Sequence, residues 1–124
     1  MTERAKDGEA LLPTVHWLER DSTLARARLD IDADLAVFDG HFPQAPIVPG
    51  VAQVHWAITL AEQCLTLPDR SRFARLDALK FQQVIRPGDT VELALEWQAE
   101  RSTLAFRLTS AAGPHASGRV IYRG

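Results

Sequence analysis

The chain contains one cysteine, Cys64, so no disulfide can close within it, and the thiol stands in an apolar helical context away from other metal-ligating residues. That usage fits a reducing compartment. No run of about 18 apolar residues is present to span a bilayer. The first twelve residues, MTERAKDGEALL, carry charges where a secretory signal needs an apolar stretch. The sequence therefore predicts a cytoplasmic protein without membrane insertion. A surplus of one charge is also missing: 14 Lys and Arg stand against 16 Asp and Glu, and the basic residues are spread along the chain. Nothing in this balance points to a broad electrostatic footprint for nucleic acid or an anionic membrane, and it leaves room only for a small local basic patch. The sequence shows neither internal repeats nor low-complexity segments.

What is present is a globular balance of 46% hydrophobic and 24% charged residues in 124 positions. That length accommodates one domain with a real core and is too short for two of typical size. A single domain over 1–124 is expected, with about 1–10 as a flexible N-terminal tail.

Strict alternation marks two strands. Over Thr90 to Gln98, Val91, Leu93, Leu95 and Trp97 share one face, and over Thr103 to Thr109 the same holds for Leu104, Phe106 and Leu108. The four residues between them, AERS, suit an antiparallel hairpin. Weaker strand patterns run from Arg75 to Phe81, bounded by the Arg86-Pro87-Gly88-Asp89 turn, and from Ser117 to Tyr122, bounded by Gly113-Pro114. A further pair is expected at Thr14 to Glu19 and Leu24 to Asp32. The 66–73 stretch reads as a loop.

One long helix is predicted from about Pro49 to Leu65, because proline suits a first helical turn whose N–H would have no partner. Val51, Val54, His55, Ile58, Ala61, Glu62 and Leu65 share one side, and the other side is also apolar. Such a helix needs covering. About six antiparallel strands and one central helix imply an α+β class in which the sheet curls around the helix, the hotdog fold.

The residues that carry chemistry lie in DGHFPQAPIVPGVAQVHW, from Asp39 to Trp56. His41 is a base by type, with an unperturbed pKa of about 6.5. Gly40 allows close approach beside it, and Pro43, Pro46 and Pro49 stiffen the path into the helix. Gly50 would present its backbone N–H at the positive end of the helix dipole with no side chain in the way. A base and an oxyanion donor are what proton abstraction next to a carbonyl requires.

The run Gly40-His41-Phe42-Pro43, then Pro46-Ile47-Val48-Pro49-Gly50-Val51, resembles the signature of the hotdog-fold 3-hydroxyacyl-ACP dehydratases of the FabA/FabZ type. Lys80-Phe81 and Pro87-Gly88-Asp89 extend the resemblance, which covers about 38 to 90. The wording GHFPQAPIVPGVAQVHWA is most similar to the small ApeI-like dehydratases of aryl polyene pathways. The resemblance implies that His41 abstracts the proton alpha to a thioester carbonyl and that the Gly50 amide binds the thioester oxygen. Phe42 and Val51 are then expected along the substrate's path. The family's Glu or Asp, fourteen residues after the histidine, is replaced here by His55, and its glutamine four residues further on by Thr59. Val51 to Ile58 contains no carboxylate, and Glu62 lies about 10 Å beyond His55 along the axis. An imidazole can donate a proton to a leaving hydroxyl, so a two-histidine dehydratase is expected, with His41 and His55 catalytic.

The resemblance further implies an acyl carrier protein partner with a phosphopantetheine-linked acyl substrate, no metal, no cofactor, and a homodimer or higher assembly. Two alternatives stand beside it. A hotdog acyl thioesterase would use a helix carboxylate, which VAQVHWAI lacks; a non-catalytic acyl-thioester binding or partner subunit would tolerate the loss of the acid. His16 and His115 are expected at the surface, Trp56 in the core, and Lys80 and Arg86 in solvent.

Overall fold

The computed structural model describes residues 12–35 and 46–124. Among them six strands form one antiparallel sheet: β1 (Thr14–Arg20), β2 (Leu24–Asp30), β3 (Phe73–Phe81), β4 (Thr90–Gln98), β5 (Thr103–Ser110) and β6 (Gly113–Tyr122). Their order across the sheet is β1-β2-β4-β5-β6-β3. A single α-helix, α1 (Gly50–Cys64), is inserted in sequence between β2 and β3. This is the hotdog arrangement.

The registers explain the core. Ala27, Leu93, Leu108 and Ala116 are successive cross-strand partners, as are Ala25, Leu95, Phe106 and Gly118. All eight are buried, because the period-2 pattern puts them on the face turned toward α1. Gly118 has to be small: a Cβ there would lie 2.9 Å from Leu79 and 3.1 Å from the Phe106 ring. Trp56 is fully buried at the centre of α1, flanked by Ala57, Leu60 and Ala61.

The buried residues of α1 are Ala52, Gln53, Val54, Trp56, Ala57, Leu60 and Ala61, drawn from both of its sides, while Val51 at its start is 80% exposed. Two expectations need correcting. β6 starts at Gly113, so Gly113-Pro114 opens the strand and does not bound it; proline is tolerated at a strand's first residues, where a ladder donor is dispensable. The 66–73 stretch holds a single 3-10 turn at Arg70–Arg72, begun by Asp69, whose carboxylate accepts from the Ser71 N–H at 2.8 Å. The tail at 1–10 lies outside the described residues.

The Arg86–Asp89 turn is as expected. Gly88 has φ +87°, which suits the third position of a type II turn. The Arg86 N–H donates to the Asp89 carboxylate at 2.8 Å. Its outer side docks on Ile31 through Gly88 N–H to Ile31 O at 2.8 Å and Ile31 N–H to Asp89 O at 2.9 Å.

Candidate active site

The start of α1 follows an extended proline, Pro49, with φ −61° and ψ 148°. Among the described residues no side chain caps this end, and its first turn holds no acidic residue. The Pro49 carbonyl accepts from the Ala52 and Gln53 amides at 3.1 and 3.2 Å. The Gly50 and Val51 amides precede these on the first turn and point out of the helix N-terminus, where partial positive charge collects.

Prolines alone do not hold this end in place. The Val48 N–H donates to the Ile85 carbonyl at 2.8 Å, and the Gln53 side-chain amide donates to the Val48 carbonyl at 3.3 Å. Gln53 is only 3% exposed, and its Oε1 has no hydrogen-bond partner. The Ile85 segment is itself held by the β5–β6 hairpin: Gln82 and Gln83 N–H both reach the His115 carbonyl, at 2.8 and 3.3 Å.

His115 completes this support. It is 5% exposed, against the expectation of a surface residue. Its Nδ1 lies 3.1 Å from the Val84 carbonyl, which can only accept, so Nδ1 carries the hydrogen. Nε2 lies 2.7 Å from the Ser110 hydroxyl, with which it shares the second hydrogen bond of the ring. The ring thus joins the hairpin to the segment that holds Val48.

The Phe81 ring packs beside Gly50, with ring atoms 2.7 to 3.1 Å from where a Cβ would stand. Only glycine leaves room for that ring. Sequence reasoning found Gly50 from its Pro-Gly setting and named Phe81 within the resemblance, but missed Gln53 and the contact of Phe81 with Gly50. An amide within the buried stripe of α1 was the available signal for Gln53; the Phe81 contact joins positions 31 residues apart and leaves no local trace.

His55 is half-buried on α1, about 7.5 Å along the axis from Gly50. Among the described residues neither of its ring nitrogens has a hydrogen-bond partner, so the imidazole is uncommitted. The next carboxylate on the helix is not. Glu62 is gripped by Arg70 through two bonds, Nε to Oε2 at 2.7 Å and Nη2 to Oε1 at 2.8 Å. Arg70 also donates to Thr59 at 3.2 Å. Both Thr59 and Glu62 are therefore occupied by one guanidinium. The positions His41 and Phe42 lie outside the described residues. No group of three or more His, Cys, Asp or Glu that could hold a metal occurs among the described residues.

What the arrangement can do is bind a developing negative oxygen at the uncapped end of α1 and offer an imidazole further along the same helix. Residues 17–119 match the ApeI-like family, described as ApeI dehydratase. A curated relative, the 3-hydroxyacyl-(acyl-carrier-protein) dehydratase FabZ of Chloroflexus aggregans, is 43% identical over 76 residues, covering 57% of this chain and 51% of the relative. The chain spans about half the length of the curated relatives it matches. Among solved structures, the dehydratase heterocomplex ApeI:P from Xenorhabdus doucetiae is similar at TM-score 0.79 and 30% identity, over 90% of this chain and 98% of that chain. A protein of Erwinia carotovora subsp. atroseptica has TM-score 0.72 and 30% identity, over 90% and 96%. With the family pattern running across most of the sheet and the whole of the helix, the chain belongs to the ApeI-like dehydratase family of the hotdog fold.

Proposed function

We propose that the protein removes water from a 3-hydroxyacyl thioester carried on acyl carrier protein and yields the trans-2-enoyl thioester, in fatty acid or aryl polyene-type biosynthesis. The observation that carries this reading is the Pro49–Gly50 start of α1, which no side chain among the described residues caps, with His55, without a hydrogen-bond partner among those residues, on the same helix. Membership of the ApeI-like family supports it.

In the proposed mechanism His41 takes the proton from the carbon alpha to the thioester carbonyl. Negative charge then builds on the thioester oxygen, held by the Gly50 amide. The electron pair moves into the new carbon–carbon double bond as the bond to the beta oxygen breaks. His55, protonated beforehand, gives its proton to that oxygen, which leaves as water. Phe42 and Val51 line the acyl path in this scheme. The expected place of work is the cytoplasm. Among the described residues no helix is long and apolar enough to cross a membrane.

A homodimer is part of the proposal. β3 is an edge strand with Phe73, Leu79 and Phe81 each at least 39% exposed, and Val51 and Val84 are exposed apolar residues as well. An unpaired edge of this kind is a template for strand addition from a second chain. A second reading gives that place to a different hotdog subunit, since the similar Xenorhabdus protein occurs in a heterocomplex.

The test supplies purified protein with 3-hydroxyacyl-ACP of several chain types and follows enoyl formation and free thiol separately. Enoyl product without thiol is expected. Thiol without enoyl would transfer the protein to the thioesterases, and neither product from any chain would leave it a binding or partner subunit.

A further inference from the structure

The face of the sheet turned away from α1 has no part in the site above, yet it carries a groove of about 550 Å³. That volume falls in the range of small-molecule sites, about 300–1,000 Å³. The groove crosses five strands along one register row: Arg26 on β2 faces Ala94 on β4, Ala94 faces Arg107 on β5, Arg107 faces Ser117 on β6, and Ser117 faces Lys80 on β3. Strands lie about 4.8 Å apart, so long cations recur every ~10 Å with a small side chain between them. Arg119, opposite Ala105 on the adjoining row, stands diagonal to Arg107. Small residues make the floor and basic ones the walls.

The charges are unevenly compensated. Arg26 is paired with Glu19 at 3.0 Å and Glu92 at 3.1 Å. Lys80, Arg107 and Arg119 line the same groove and, among the described residues, have no ion pair or side-chain hydrogen bond. A chain of net charge −2 thus gathers three cations without an ion pair among the described residues, although like charges so placed repel one another; Arg119 has Asp77 as its cross-strand partner, a carboxylate already 3.6 Å from Arg75. Glu96, at the far end of the groove, accepts from Gln98 at 3.0 Å and retains oxygen lone pairs for a hydroxyl or amino group.

We infer that this groove is a second binding site, distinct from the site on α1, for a small molecule that carries a phosphate or diphosphate and a hydroxyl- or amine-bearing organic part. The anionic group sits between Arg107, Arg119 and Lys80, where the planar guanidinium forks match phosphate oxygens. The organic part lies over Ala94 and Ala105 toward Glu96.

The experiment titrates the full-length, isotope-labelled protein with inorganic pyrophosphate and then with adenosine diphosphate, reading backbone amide shifts at low salt. Saturable shifts confined to β3, β5 and β6 around Lys80, Arg107 and Arg119 are expected, with the diphosphate nucleoside binding the tighter. Arg107→Ala and Arg119→Ala should each weaken binding by about tenfold or more, while Arg26→Ala, whose charge is already paired, should change it less than about threefold. The absence of saturable shifts with either probe would overturn the proposal. So would shifts spread equally over the other surface arginines, or affinities that survive the Arg107→Ala and Arg119→Ala changes. Equal affinity for pyrophosphate and the nucleotide would overturn the place given to the organic part.

Discussion

Phe81 lies against Gly50 so closely that a methyl group on the glycine would come within 2.7 Å of the ring tip. The end of β3 and the start of α1 are thereby one surface. Because Phe81 is 49% exposed, its ring can swing outward. Gly50→Ala should therefore cost stability at the low end of the 1–3 kcal/mol usual for overpacking, while enoyl formation falls at least about tenfold as the methyl and displaced ring crowd the amide. Urea unfolding and the dehydration assay, run on the same preparation, measure the two effects separately. A large stability loss with normal specific activity would contradict this account.

Arg70 separates the two candidates for the second catalytic group. Glu62 is committed to it, so Glu62→Gln should leave turnover within about twofold and stability within about 1 kcal/mol, as for a largely exposed ion pair. His55→Ala should lower kcat by about 10²- to 10⁴-fold, the span of lost general acid catalysis. His55→Glu places the family's own acid on the helix and should recover part of the rate. Full activity in His55→Ala would remove the imidazole from the mechanism.

The buried His115 ring predicts a stability effect at a distance from the chemistry. His115→Leu strips partners from the Ser110 hydroxyl and the Val84 carbonyl, and leaving such groups unpaired costs about 1–3 kcal/mol each. Since the adjoining Ile85 carbonyl holds the Val48 amide, hydrogen exchange at Val48 should quicken in this variant. Unaltered exchange there, alongside a global loss of stability, would show that the hairpin does not support the helix start.

Acid sensitivity should arise partly at the β1–β2 pair. Burial opposes ionisation of Asp30, but the His16 imidazole at 2.9 Å, the Arg28 guanidinium at 3.4 Å and the Thr90 hydroxyl outweigh it and hold the carboxyl below its ordinary 3.8. A depressed acid binds more protons unfolded than folded, so its contribution is present above the ordinary value and is lost as pH falls through the folded one. Asp30→Asn should flatten the decline of stability below about pH 4, read from denaturation midpoints across the acid range. With Asp30 37% exposed, the effect is modest.

Much of the fold could be read before the structure because one buried face imposes its period on a strand. β4 and β5 alternate cleanly for that reason, and their limits agree with the expected ones to within a residue. β3 is mostly exposed along its length and shows no such rhythm, which is why its first two residues escaped notice. On α1, both sides are apolar in sequence, and both contribute buried residues, Trp56 and Leu60 from one and Val54 and Ala61 from the other. The site divides in the same way. Gly50 and His55 were legible because a proline-glycine helix start and a helix position have local signatures. Phe81 on Gly50, Arg70 on Glu62 and His115 on Val84 join distant positions, and nothing in composition or spacing announces them. A solitary histidine in a strand looks like a surface residue until its two partners are seen.

The strand order has a bearing on how the molecule comes apart. β4, β5 and β6 follow one another in sequence and in space, so their pairing closes only short loops. β2 reaches β4 across about sixty residues, as in the Thr90–Asp30 bond, and β3 meets β6 from the opposite edge. Closing such long loops costs entropy before any contact returns it. The three-strand meander is thus the part most able to persist by itself, while α1, the β1–β2 hairpin and β3 are attached to it through distant pairings. Partial opening should release the helix and its N-terminal end first, so the proposed site is the last part gained in folding and the first surrendered under stress.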